Sequence, residues 1–152
     1  MPLLFYLMMK RRRSREYALQ ILFQLELTGT ELNDDLLQEF WKGINKEPDD
    51  VKAFTHSIVR ETLENLDKID ATIIKAAQHW SLERMAVIDR NILRAATYEL
   101  SFRDDIPASV AINEAIEIAK KYSTEDSASF INGILDRIAN EAPKKAKKKT
   151  KK

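Results

Sequence analysis

The chain has no cysteine, which excludes a disulfide framework and any thiolate-bound metal and fits a reducing cytoplasm. Glycine and proline are scarce, at three and four residues. Set against abundant Ala, Leu, Ile, Glu and Lys, that scarcity favours an all-α protein. Of the two histidines, His56 and His79, each falls on its own predicted helix with no convergent partner, so both read as surface or packing residues. There is no glycine-rich phosphate loop, no HExxH pair, no nucleophile beside a histidine and no ligand cluster. Catalysis, a metal and a cofactor are therefore not expected. The apolar run at residues 1–9, MPLLFYLMM, is far short of the roughly 20 residues that span a bilayer. It is also a poor signal peptide, because the positive residues follow the apolar run and no small-residue cleavage site comes next.

The 152 residues are enough for one domain with a substantial core. A net charge of +1 conceals a division. Lys10, Arg11, Arg12, Arg13 and Arg15 make one end basic, and seven lysines from Lys144 onward make the other end basic. The remaining thirteen of the 25 cations face all 24 acidic residues, leaving the body at −11. Such a body repels nucleic acid over most of its surface, so any RNA contact is confined to a local patch. Residues 142–152 are low-complexity and basic and are expected to be disordered.

Apolar spacing predicts helices in series. Residues 12–27 place Ala18, Ile21, Leu22 and Leu25 on one stripe, with Gly29 where a C-terminal glycine belongs. On this reading the arginines sit at the helix start, where cations are disfavoured, so they are not expected to serve its stability. A frayed, solvated leader is the plain alternative. Asn33 or Asp34 caps a second helix to about Ile44, and Pro48 opens a third with Val51, Phe54, Ile58 and Thr62 inward. A fourth, residues 68–77, uses Ile69, Ile73 and Ile74. Residues 85–102 are the most apolar and form the expected central helix, with Asp89, Arg90 and Arg94 as its solvated edge. Residues 106–136 read as a helical hairpin, with Ile112, Ala115, Ile116 and Ala119 on one stripe and Phe130, Ile131, Ile134 and Ile138 on the next. Residues 123–127 supply capping oxygens between them, and Lys120 and Lys121 complement the first helix's dipole. Arginine and lysine with a neighbouring aromatic also suit single-stranded RNA. Tyr122 fits base stacking and a partly buried helix end equally well.

Three blocks in order, RRRSREYALQILFQLEL, VIDRNILRAATYEL and VAINEAIEIAK followed by EDSASFINGILD, resemble the NusB transcription antitermination family over about residues 11–139. The resemblance implies a single all-α domain of about seven helices at residues 10–141, with residues 1–9 as a leader and 142–152 as a tail. MKRRRSREYALQ also looks like a family start, which makes Met8 or Met9 a second candidate for the first residue. The implied function is antitermination, through binding of box A RNA together with ribosomal protein NusE, in complexes with RNA polymerase that support ribosomal RNA synthesis. A homodimer of the free chain is a further implied state.

Residue by residue, the resemblance assigns RNA contact to Arg11, Arg12, Arg13 and Arg15, and to Lys120, Lys121, Tyr122 and Ser127 at the hairpin turn. It assigns partner contact to Phe23, Asp89 and Asp126. Two positions depart from the pattern: Ser123 stands where a glycine is expected, and Asp89 is one methylene shorter than the commoner glutamate. Against this stand a helical interaction module without RNA, favoured by the acidic body, and the related N-terminal domain of an RNA methyltransferase, disfavoured because no nucleotide-binding catalytic domain follows.

Overall fold

Pro2 cannot donate a backbone hydrogen bond and stands at the N-cap of the first helix, α1, Leu3–Thr28. The computed structural model describes residues 2–78 and 80–141; the expectations for His79, for Met1 and for the tail at 142–152 lie outside them. Helix α1 thus starts nine residues earlier than its apolar stripe indicated, and the basic run lies in its middle. Leu, Met, Lys and Arg are good helix formers and no breaker interrupts residues 3–28, so the helix propagates through a segment that buries almost nothing. The unfavourable dipole expected for the arginines is therefore absent. Gly29 closes α1 in the left-handed region (φ 66°), its N–H returning to the Leu25 carbonyl.

Asn33 caps α2, Asp34–Lys42, by accepting the Leu36 N–H at 2.8 Å. Helices α3, Asp49–Glu64, and α4, Leu66–Ala77, follow, separated only by Asn65. A 3₁₀ turn at Leu82–Arg84 leads into α5, Val87–Phe102, and the described residues finish with α6, Ala108–Tyr122, and α7, Glu125–Glu141. No strand occurs among the described residues. Helix α5 is central as expected, packing against α1, α3, α4, α6 and α7. Fully buried Ile21, Ile58, Ile69, Ile73, Leu93, Ile131, Ile134 and Leu135 form the shared core. No described helix is long and apolar enough to cross a membrane.

Two further expectations are corrected. Ile74, assigned inward, is 49% exposed, because Ile69, Ile73, Ala76 and Ala77 define the buried face of α4. The polar residues of α5 are not a solvated edge: Arg90 and Arg94 both bind Glu26, and Arg94 grips Asp70 at 2.8 and 3.0 Å. Burial by itself would raise the Glu26 carboxyl, but hydrogen bonds from Arg90 and Asn91 and the charge of Arg94 outweigh it and hold it below the usual range. The third polar residue, Asp89, is buried. His56 packs as expected, accepting the Trp41 indole N–H at 2.8 Å, and burial lowers its pKa.

Candidate nucleic-acid interface

Successive helical residues point about 100° apart, so a run of arginines cannot form one patch. Arg12 leans toward α6 and grips Glu114 with two hydrogen bonds of 2.8 Å. Arg13 reaches the α2–α3 connection and pairs with Glu47 at 3.2 and 3.0 Å, where Tyr17 also donates. Each guanidinium is pushed up in pKa by the carboxylate that it binds. Arg11 turns the other way and lies 4.1 Å over the Phe54 ring of α3. Its pKa is lowered, first by burial and then by the charges of Arg15 and Arg103. Arg15 points into the core, 8% exposed, with Glu99 at 2.8 and 3.0 Å and Glu114 at 3.8 Å.

Arg15, expected to contact RNA, has its donors on buried carboxylates instead of at the surface. The premise that the arginines do not serve stability is corrected, since Arg12, Arg13 and Arg15 each tie α1 to another part of the chain. Glu99 and Glu114, 2% and 5% exposed, are tolerable inside because each is met by a guanidinium.

Between α1 and α6 runs an open groove of about 490 Å³, lined by Met9, Arg12, Arg13 and Glu16 on one side and Glu117, Lys120 and Lys121 on the other. Tyr122 stands at its end, half-buried, its ring against the core. Its hydroxyl donates to Glu16 at 3.1 Å, and Lys121 meets the same carboxylate at 3.2 Å. Burial and the Glu16 charge raise the Tyr122 pKa, which keeps the phenol a donor, and the hydrogen bond to Glu16 raises that of Lys121. Lys120 is exposed and near Glu117. The groove thus offers cations beside one positioned ring, the equipment for phosphates and a stacked base.

Two residues, Ser123 and Thr124, join α6 to α7. Thr124 Oγ1 caps α7 by accepting the Ser127 N–H at 2.9 Å. The Ser123 and Ser127 hydroxyls both donate to Asp89, at 2.8 and 2.7 Å. Asp89, assigned to a partner, is 7% exposed with both oxygens engaged; Ser127, assigned to RNA, spends its hydroxyl on Asp89. Both side chains are thus engaged with each other within the chain. The two departures noted in the sequence, Ser123 and Asp89, meet in one hydrogen bond. Asp126 is exposed at the start of α7, and Phe23 is half-exposed on α1. Phe23 lies seven residues beyond Glu16, on the same face and about 10 Å along the axis, so the groove and this aromatic surface are contiguous.

Sequence reasoning missed Glu16, Glu47, Glu99 and Glu114, the carboxylates that aim the cations. The i, i+7 and i, i+11 spacing that aligns Arg12, Glu16 and Phe23 on α1 was the available signal. The long-range pairs, 102 residues apart for Arg12 and Glu114, leave no local trace. Among the described residues, no group of three or more His, Cys, Asp or Glu is placed to hold a metal.

A model of the NusB family matches residues 12–140. The transcription antitermination protein NusB of Thermodesulfovibrio yellowstonii is 50% identical over 141 residues, covering 88% of this chain and 93% of the relative. That of Desulfitobacterium hafniense is 46% identical over 140 residues, covering 92% and 95%. Among solved structures, NusB of T. maritima superposes with a TM-score of 0.78 at 47% identity, over 88% of this chain and 94% of that one. A structure of antitermination factors NusB and NusE in complex with double-stranded RNA gives 0.79 at 26% identity, over 87% and 97%. With the match spanning the groove, the central helix and the hairpin alike, the chain belongs to the NusB family.

Proposed function

We propose that this chain is a transcription antitermination factor that binds the box A element of nascent RNA together with ribosomal protein NusE, within RNA polymerase complexes that support ribosomal RNA synthesis. The observation that carries the RNA half is the α1–α6 groove, where Arg12, Arg13, Lys120 and Lys121 flank a path that ends at the Tyr122 ring. Arg11, on the far side of α1, reaches RNA only if the strand continues past the groove. Arg15 contributes by holding α1 against α5. Half-exposed Phe23 on α1 and exposed Asp126 at the start of α7 are the surface offered to NusE. The reading is one of binding in the cytoplasm, not of chemistry on a substrate.

The groove's cations are already engaged by Glu16, Glu47, Glu114 and Glu117, so a phosphate must compete with carboxylates. NusE is therefore expected to supply much of the affinity. The test is a titration of a box A oligonucleotide and a scrambled control into this protein alone and into its NusE complex. Tight, sequence-selective binding by the complex supports the reading; equal, weak binding to both RNAs in both forms sinks it and leaves a protein interaction module.

A further inference from the structure

Asp89 closes a clamp on the turn that presents Tyr122. It sits in the first turn of α5, where the helix dipole favours a carboxylate. Its Oδ1 accepts from Ser123 at 2.8 Å and its Oδ2 from Ser127 at 2.7 Å. Hydrogen bonds to an ionised carboxylate are roughly twice as strong as neutral ones, and this carboxylate is only 7% exposed, so water does not dilute them. One side chain therefore ties together the start of α5, the residue that ends α6 and the first turn of α7. Ser123 follows Tyr122 directly, and only Ser123 and Thr124 separate the two helices. The ring is thus held at two points: its hydroxyl by Glu16 of α1 at 3.1 Å, and its backbone by Asp89 through Ser123.

We infer that Asp89 is a positioning residue for RNA, fixing Tyr122 in its stacking place through the hydroxyls of Ser123 and Ser127. This deepens the proposed function and rests on it. The physical content is pre-organisation: a turn already ordered in the free protein does not have to be ordered on binding. With the clamp opened, the turn is ordered only in the complex, and affinity falls by about fivefold, the equivalent of ordering roughly one residue's backbone.

The experiment is a double-mutant cycle on the full chain in complex with NusE, using a box A oligonucleotide. Asp89→Asn keeps the volume but loses one of the two acceptors, and Ser123→Ala removes one of the two donors at a half-exposed position and leaves Asp89 held by Ser127. Each is expected to weaken RNA binding about fivefold in the wild-type background and not at all in Tyr122→Ala, while the salt dependence stays unchanged because no phosphate contact is lost. Hydrogen exchange of the amides at residues 123–128, measured without RNA, is expected to accelerate in both variants. An equal loss of affinity with and without Tyr122, or unchanged exchange and unchanged binding, overturns the inference. If the wild-type complex fails to bind box A, the functional reading falls and the RNA role of Asp89 with it; accelerated exchange would then still establish the clamp as a fold element.

Discussion

Arg12 and Arg15 stand three residues apart on α1, and each grips a glutamate with two hydrogen bonds, yet they serve different ends. The Arg15–Glu99 pair is sealed, with side chains 8% and 3% exposed. Arg12 keeps 29% of its side chain open while its partner Glu114 keeps only 6%. A sealed pair is a fold element, costly to break because either partner left alone is a buried charge. The half-open pair presents a cation to solvent from a fixed carboxylate anchor, the arrangement on which the proposed RNA contact relies. Identical chemistry thus separates into structure and recognition by a rotation of about 60° around one helix axis.

The comparison is tested most severely by removing Arg15. Arg15→Ala is expected to cost about 3–5 kcal/mol of stability in denaturant unfolding, because Glu99 loses its bidentate partner, whereas Arg12→Ala should cost less, about 1–3 kcal/mol, because buried Glu114 still has Arg15 at 3.8 Å. Replacing the whole sealed pair, Arg15→Met with Glu99→Leu, should restore most of the loss. Equal costs at the two positions would break the distinction.

Tyr122→Ala is expected to remove about 1–3 kcal/mol of RNA binding with a small change in melting temperature, as the ring is only half-buried. Tyr122→Phe keeps the ring and gives up the bond to Glu16, which should cost about 0.5–1.5 kcal/mol of stability and far less RNA binding than Tyr122→Ala. A large fall in melting temperature for Tyr122→Ala, with normal RNA binding by the folded fraction, would assign the ring to the core.

Salt dependence sharpens the comparison further. Arg12→Ala and Arg13→Ala should each lower the log–log slope of RNA affinity against salt by about 0.7, the value for one single-strand phosphate. The Arg15→Met, Glu99→Leu protein should keep the wild-type slope. A slope change in that protein would show that Arg15 reaches phosphate after all.

The smallest effect is in acid. Burial would raise the Glu47 carboxyl, but hydrogen bonds from Arg13 and Tyr17 outweigh it and hold it below its ordinary value of 4.5. Its contribution to stability is therefore complete above pH 4.5 and is lost as pH falls through the lower folded value. Glu47→Gln should give a shallower loss of stability on acidification in that window, read from unfolding midpoints. An unchanged acid limb would mean that the Arg13 anchor contributes nothing to the fold.

Much of this was legible beforehand because it is local. The cap at Asn33, the glycine after α1, the stripes of α6 and α7 and the central place of α5 all follow from residues within a few positions of one another. Helix α1 shows where such reasoning fails: its apolar stripe indicates a start near Arg12, and nothing in a period of 3.6 announces that the helix continues back to Leu3 on propensity alone. Ile74 fails for the opposite reason, since a short helix offers more apolar residues than its neighbours can cover.

Composition and periodicity alone determined that this is a chain of amphipathic helices with basic ends and an acidic body, and the order of its blocks determined the family. Tertiary structure alone decided which arginine faces inward, that Asp89 and Ser127 bind each other before any partner, and that Glu16 holds Tyr122. Helical periodicity specifies a direction around an axis, but the residue waiting in that direction comes from a helix tens of residues away. A buried cation is tolerable only where that distant residue is a carboxylate.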